Sequence, residues 1–253
     1  MSDSSTNKIQ KFTADGTFVS QWPATSPKAL ATDPQGSVYS IDQNTGQIQR
    51  FSSDGQQMTP LTVTTDPSRY SPLDISINAN GDIYVSIQNS GIQKLDSQGK
   101  PAGEISFTAE SVGNFRTLAG IAIDPSNNAV YALDDADDRV QKFTLDGEFV
   151  SQWWTTGLTG QATDIAVDQD GNVYVLGGNV AKFTGDGSLI GSWGSQGDGD
   201  CELQGPMALA IDSRNVVYIA DSGNYRIQAF SPDGVYLGQW PVGDSGEATG
   251  QQV

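Results

Sequence analysis

The residues of this chain that could do chemistry are almost all carboxylates. The 253-residue sequence contains 30 Asp and Glu residues, 13 Lys and Arg residues, one cysteine and no histidine, and its net charge is −17. Without histidine the sequence cannot supply a histidine-ligated zinc site, a Ser-His-Asp triad or a Cys-His pair. Carboxylate oxygens suit a hard cation such as calcium. A calcium site is therefore the metal chemistry that the composition leaves open.

Two aspartates are the best candidates for such a site. Asp74 and Asp164 each precede a short apolar run, at a position that Gly120 occupies in another copy of the same pattern. If these copies form a ring, both carboxylates face the mouth of its central channel from units two apart, and a cation could lie between them. The alternative is that each carboxylate accepts a hydrogen bond from a neighbouring backbone amide. The second interpretation is favoured, and we predict no metal site, no cofactor and no catalytic residue.

Other acidic groups are typical of loops rather than of metal sites. Residues 134–138 form a run with four aspartates, and residues 168–171 read as an ordinary turn. Residues 198–202 lack the central glycine and the terminal glutamate of an EF-hand loop. The single cysteine, Cys201, lies in this last segment without a histidine to activate it, and we interpret it as structural.

The elements that position these residues are set by a repeat of roughly 40 to 48 residues. Its second half contains an apolar residue, a basic residue two positions on in most copies, and a turn that ends in glycine. The copies begin at Ile9, Ile48, Ile92, Val140, Val180 and Ile227. Its first half contains two short β-branched and apolar runs around a polar turn, which predicts a hairpin. Each complete unit is thus predicted to hold four strands.

Four-stranded units at this period predict an all-β, six-bladed β-propeller of four-stranded antiparallel blades. The first half of the repeat occurs five times and the second half six times, so we expect five complete blades plus a half-blade. The expected half-blade covers residues 3–22, the complete blades cover about 27–58, 72–105, 118–153, 162–193 and 206–240, and a C-terminal linker covers 241–253. A half-blade would expose strand edges, which leaves truncation of a longer domain and a strand-exchanged dimer as alternatives.

The repeats resemble those of the NHL family of β-propellers over nearly the whole chain. The clearest copy runs from Gly205 through Asp221 and Arg226 to Trp240. The resemblance implies a scaffold that serves receptors, ubiquitin ligases, lyases and RNA-binding proteins, and so it implies a fold more than a function. It also favours a sensor or interaction module of a larger bacterial surface or signalling protein, with a preference for an extracytoplasmic location. Among the enzymes of such folds, a calcium-dependent lactonase- or lyase-like propeller is the remaining alternative.

The charge distribution limits the partners that we expect. Most basic residues occupy two repeat positions and are therefore spread around the ring, which argues against the basic stripe that nucleic acid binding needs. The N-terminal sequence shows neither an apolar signal nor a membrane span, and no direct membrane contact is predicted. The predicted partner is a protein, peptide or glycan, and the predicted chain is a monomer or a strand-exchanged dimer.

The predicted binding residues are aromatic side chains that remain after the repeat is subtracted, together with three arginines, of which Arg139 occupies a repeat position. Aromatic and arginine residues are enriched where binding energy is concentrated, and these lie in linkers between blades or in loops between second and third strands, on one face. The candidates are Arg69, Tyr70, Phe115, Arg116, Arg139, Trp154 and Tyr225. The alternative is that the long linkers fold back and use these aromatics to cover blade edges.

Overall fold

The computed structural model consists of small antiparallel sheets that are arranged as a six-bladed β-propeller. It describes residues 1–63, 71–88, 90–106, 115–124 and 129–242. The predicted all-β propeller is therefore confirmed. Within the described residues, no helix is long and apolar enough to cross a membrane.

Five blades contain four strands each, and the chain runs through every blade from the channel outwards. Blade 2 contains β4 (Pro27–Thr32), β5 (Val38–Asp42), β6 (Ile48–Phe51) and β7 (Gln57–Leu61). Blade 3 contains β8 (Pro72–Ile77), β9 (Ile83–Ile87), β10 (Gly91–Leu95) and β11 (Pro101–Ser106). Blade 4 contains β12 (Leu118–Asp124), β13 (Ala129–Asp134), β14 (Arg139–Thr144) and β15 (Phe149–Trp154). Blade 5 contains β16 (Asp164–Val167), β17 (Val173–Leu176), β18 (Val180–Phe183) and β19 (Leu189–Trp193).

The linker after blade 5 contains a short parallel pair, and the first blade is incomplete. The parallel pair is β20 (Ser195–Gln196) with β21 (Glu202–Leu203). Blade 6 contains β22 (Ala208–Ile211), β23 (Val217–Asp221), β24 (Arg226–Phe230) and β25 (Tyr236–Pro241). Blade 1 contains β1 (Ser2–Asp3), β2 (Lys8–Phe12) and β3 (Phe18–Pro23). The sequence predicted two strands in blade 1, and the additional strand is β1, which pairs with β2 through Ser2–Ile9 and Asp3–Lys8.

Aspartate side chains form the turns between first and second strands. In blade 5 the Asp168 carboxylate accepts hydrogen bonds from the amides of Asp170 and Asn172 at 2.9 and 2.8 Å. The turn then passes through Gly171, whose φ is 79°, a conformation that side chains disfavour. These bonds satisfy backbone donors within the turn. They explain why an aspartate recurs at this turn in several repeats without the need for a ligand.

Each blade packs on the next through a repeated set of aromatic and basic side chains. A tyrosine of the second strand is buried in blades 2 to 5, and a basic side chain of the third strand lies over its ring at 5.1 to 5.5 Å. The lysines at this third-strand position in blades 1, 4 and 5 also donate to a backbone carbonyl in the next blade's outer turn. These bonds join Lys11 to Ser53, Lys142 to Gly185 and Lys182 to Pro232 at 3.0, 2.9 and 2.9 Å.

Blade 6 closes the ring against blade 1 with a partial version of this packing. Tyr218 donates to the Ala14 carbonyl at 3.5 Å, and the Trp240 ring packs against Gly16. The basic position in β24 is Ala229, which lies opposite Tyr218. Blade 1 lacks an innermost strand in the described chain, and Tyr218 is only half-buried, unlike its counterparts.

Candidate functional site

Trp154 is the most exposed indole on the face that carries the inter-blade linkers. We define the linker face as the surface formed by these linkers and by the loops between second and third strands. Trp154 ends β15, its side chain is 62 % exposed, and the matching positions after Trp22, Trp193 and Trp240 are Pro23, Gly194 and Pro241. Its neighbour Trp153 is buried, because successive residues of a strand point to opposite sides.

Arg139 lies directly opposite Trp154 across the β14–β15 ladder, but its guanidinium is occupied. Its Nε and one terminal nitrogen donate to Asp134 Oδ2 at 3.1 and 3.0 Å, and the other terminal nitrogen donates to Gln152 at 2.8 Å. A further ion pair joins Arg139 to Asp137 at 3.3 Å. Its hydrogen bonds and ion pairs hold the β13–β14 loop to the blade. Arg139 therefore stabilises the linker face rather than offering free donors to a partner.

Asp134 is a residue whose role the sequence reasoning missed. Its Oδ1 accepts hydrogen bonds from the amides of Arg116 and Thr117 at 3.1 and 3.0 Å, which attaches the incoming linker to blade 4. In blade 6, Asp221 Oδ1 accepts a bond from the Gln204 amide at 2.6 Å in the same way. The recurrence of aspartate at the end of the second strand was the available signal.

The two candidates of the preceding linker behave differently from each other. The Phe115 ring is partly buried on the blade core, with its centroid 5.8 Å from that of Phe143. Phe115 thus covers the blade edge, as the alternative interpretation stated. Arg116 projects into solvent and forms one ion pair, with Asp137 at 3.4 Å. Arg69 and Tyr70 lie outside the described residues.

Tyr225 is exposed in a backbone conformation that disfavours its side chain. It ends the loop between β23 and β24 with a φ of 53°, and its side chain is 74 % exposed. The matching loop positions of blades 1 and 4 are Asn7 and Asp138, with φ values of 56° and 48°. Asn and Asp tolerate this left-handed region far better than a bulky residue does. Tyr225 is two blades away from Trp154, so the two rings are separate contact points on the linker face.

The adjacent arginine in blade 6 is buried and holds a linker in place. Arg226 donates to Asp221 Oδ2 at 2.7 Å and to the Asp198, Gly199 and Glu202 carbonyls at 2.8 Å each. These bonds hold the segment of residues 198–202, whose sequence was compared above with an EF-hand loop. Its backbone oxygens are therefore directed at a guanidinium. Charge-assisted bonds of this kind are the strongest that a side chain makes with backbone.

Asp74 and Asp164 lie at the channel and connect innermost strands of adjacent blades. Asp74 Oδ2 accepts a bond from the Ile121 amide on β12, and Asp164 Oδ2 accepts one from the Leu209 amide on β22, both at 2.8 Å. The remaining oxygen of each carboxylate accepts a bond from the amide of the following residue, also at 2.8 Å. Both carboxylates thus accept hydrogen bonds from backbone amides, which is the second of the two interpretations given for them in the sequence analysis.

Burial changes the acidity of both channel carboxylates. It raises the pKa of Asp74 to about 6, against the opposing effects of its amide bonds and of Lys28. Burial, reinforced by the negative charge of Asp74, raises the pKa of Asp164 to about 8. Among the described residues, no group of three or more Cys, Asp and Glu side chains is arranged to hold a metal ion.

Comparison with known proteins agrees with this architecture. Residues 203–230 match the family described as NHL repeat, and they cover β22, β23 and β24, including Asp221 and Arg226. The chain is thus a β-propeller that contains a match to the NHL repeat. Sequence relatives of this propeller include NHL repeat-containing protein 3 of Homo sapiens, which is 28% identical over 117 residues. That match covers 40% of this chain and 34% of the relative.

A longer match of this propeller is to a much larger protein. Teneurin-1 of Gallus gallus is 25% identical over 261 residues, covering 90% of this chain and 9% of the relative. The matches to these two relatives thus span about a third or less of their length. Among solved structures, a catalytically inactive virginiamycin B lyase from Staphylococcus aureus with quinupristin superposes with a TM-score of 0.67 at 15% identity. It covers 96% of this chain and 80% of the lyase chain, and it shows a shared fold.

Proposed function

We propose that this propeller is a non-enzymatic interaction scaffold that binds a protein, peptide or glycan partner on its linker face. The observation that carries the proposal is the exposure of Trp154 at a repeat position where other copies have proline or glycine. Packing within the fold does not require an indole there, since the same position functions without one in three other blades. Exposed indoles are enriched at the centres of binding interfaces.

Tyr225 supports the same proposal from a second position. A bulky residue in the left-handed region costs of order 1 to 3 kcal/mol, and its exposed ring gains little packing in return. A residue that is unfavourable for the backbone and yet not buried is a candidate for contact with a partner. The matches to NHL repeat-containing protein 3 and to Teneurin-1 each cover only part of a longer protein, which suits an interaction module.

The arginines change the chemistry that we expect of this surface. Arg139 has its donors directed at Asp134, Gln152 and Asp137, so recognition of a partner's carboxylate would depend on Arg116 instead. We therefore assign the main contacts to the rings of Trp154 and Tyr225. Rings of this kind bind apolar side chains, cations and the faces of sugars.

The enzymatic alternative is a calcium-dependent lactonase- or lyase-like propeller that acts through Asp74 and Asp164. The similarity to the lyase concerns the fold at 15% identity, and it carries no argument about chemistry. Each of the two carboxylates already accepts two amide hydrogen bonds. We therefore favour the scaffold over the enzyme.

Binding to arrays of immobilised peptides and glycans tests the scaffold proposal. The wild-type protein is compared with Trp154→Ala, Tyr225→Ala and the control Val150→Ala. Val150 lies on the same exposed side of β15 and is about half exposed, so its change removes apolar surface away from the proposed contact. We expect ligands of the wild type to bind the control equally and to lose at least tenfold in affinity for one of the ring variants. Equal binding by all four proteins would contradict the proposal.

A further inference from the structure

Two carboxylates from blades two apart meet at one glycine in the channel. A side-chain carbon built on Gly120 would lie 3.4 Å from Asp74 Oδ2 and 3.6 Å from Asp164 Oδ1. Gly120 belongs to β12, the innermost strand of the blade between them. The absence of a side chain at this position lets both acidic groups approach the same side of the strand.

The surroundings of the pair contain little positive charge. On the side of β4, the Lys28 ammonium acts on Asp74, and its own pKa is lowered by burial. From β9, Ser86 accepts a hydrogen bond from the Asp74 amide at 2.9 Å. β12 contributes Gly120 and the Ile121 amide, and β22 contributes the Leu209 amide. For Asp164, the acting charge is therefore the carboxylate of Asp74.

We infer that one of the two neighbouring carboxyls of Asp74 and Asp164 is protonated near neutral pH, and that the propeller consequently becomes more stable as the pH falls. Two half-buried carboxylates that face each other cannot both ionise without a cost in repulsion and lost solvation. The four amide bonds offset part of that cost and keep both side chains in place when one is protonated. The pair would thus act as a pH-dependent connection between the innermost strands of blades 3 to 6.

The sign of the effect follows from proton linkage. Both carboxyls bind protons more tightly in the folded chain than in the unfolded chain, where an aspartate has its ordinary pKa near 4. The stabilisation is therefore complete below the unfolded value, decreases as the pH rises, and is lost once the pH has passed the folded values of about 6 and about 8. Uptake of one proton changes the folding equilibrium constant by up to about tenfold per pH unit.

Urea unfolding between pH 5 and pH 9 tests the inference on the full chain. We expect the wild type to lose stability with rising pH across this range, and Asp164→Asn to lose most of that dependence and to be the more stable protein at pH 9. The control is Asp33→Asn, which removes the same charge from a turn where blade 3 naturally has Asn78. The control is expected to retain the wild-type pH dependence. A wild-type profile that is flat, or one that Asp164→Asn leaves unchanged, would overturn the inference.

A second measurement keeps the test independent of whether the variants fold. The side-chain carboxyl carbons of the wild type are followed by NMR during a pH titration, with Asp74→Asn and Asp164→Asn spectra used for assignment where they are available. We expect two carboxyl signals with midpoints clearly above the ordinary aspartate range. If all carboxyls titrate near pH 4, neither carboxyl of the pair is protonated at neutral pH, and the inference is wrong. If calcium chloride at millimolar concentration raises the melting temperature at pH 8 in the wild type but not in Asp164→Asn, the pair holds a cation instead.

Discussion

Trp240 lies directly against Gly16, so that the outer strand of blade 6 packs on the first hairpin of the chain. A side-chain carbon at Gly16 would lie 2.5 Å from the indole. The same contact occurs between Trp22 and Gly55 and between Trp193 and Gly234. The relationship between Trp240 and Gly16 therefore continues the repeat across the point where the ring closes.

Substitution of Gly16 by alanine tests this closing contact. Gly36 is a matched control, because both glycines have a φ of 83° but a carbon at Gly36 would meet Ser53 only at 3.6 Å. We expect Gly36→Ala to cost about 1 to 2 kcal/mol from backbone strain alone, and Gly16→Ala to cost about 1 to 3 kcal/mol more from overlap with the indole. Urea unfolding measures both losses. Equal losses would mean that Trp240 does not pack on Gly16 in solution.

Adjacent tryptophans in β15 provide a second test. Trp153 is 9 % exposed and packs edge-on against Tyr131 with a centroid distance of 5.9 Å, whereas Trp154 faces solvent. Trp153→Ala is expected to cost about 3 to 5 kcal/mol of unfolding free energy, and Trp154→Ala is expected to change it by no more than about 0.5 kcal/mol. The values are compared by thermal and urea unfolding. A large loss for Trp154→Ala would assign its ring to edge covering.

Burial separates two arginine–aspartate pairs that have the same 2.7 Å separation. Arg226 pairs with Asp221 inside the linker network, and Arg214 pairs with Asp212 on the surface, where its side chain is 63% exposed. We expect Arg226→Ala to cost about 3 to 5 kcal/mol, because it leaves Asp221 buried without its cation. Arg214→Ala is expected to cost about 0 to 1 kcal/mol. Similar losses in urea unfolding would contradict the burial of the Arg226 network.

Replacement of Tyr225 by asparagine tests whether its ring has a function outside folding. Asn7 adopts nearly the same φ at the matching position of blade 1. We expect Tyr225→Asn to raise the unfolding free energy by about 0.5 to 1 kcal/mol by relief of backbone strain, while affinity for array ligands falls. A loss of stability would show that the ring packs against the fold.

The repeat made the fold predictable, because turn glycines and strand tyrosines recur at fixed spacing and each has a local physical cause. The same subtraction isolated Trp154 as an aromatic residue without a counterpart in the repeat, and its role in binding stays a prediction. It was less informative for Arg139, whose position is basic in blades 1 and 6 as well, at Lys8 and Arg226. Recurrence there indicated a structural pair with the aspartate of the second strand.

The approach of Asp74 and Asp164 could be anticipated only in part. Their repeat position indicated that both face the channel, but the distance between them depends on the ring radius and on the missing side chain of Gly120. Sequence spacing does not specify either quantity. Likewise, the sequence assigned Phe115 to a linker but could not place its ring against the core. The path of that linker depends on the hydrogen bonds that its backbone amides donate to Asp134 of the blade.

The lysine bonds between blades also determine how the ring responds to mechanical load. Lys11, Lys142 and Lys182 each connect one blade to the outer turn of the next, whereas Ala229 has no amine to connect blade 6 to blade 1. Tension across the ring is therefore expected to separate these two blades before it separates the blades that lysines join. The propeller would then extend as a strip of blades that begins with blade 1 and ends with blade 6.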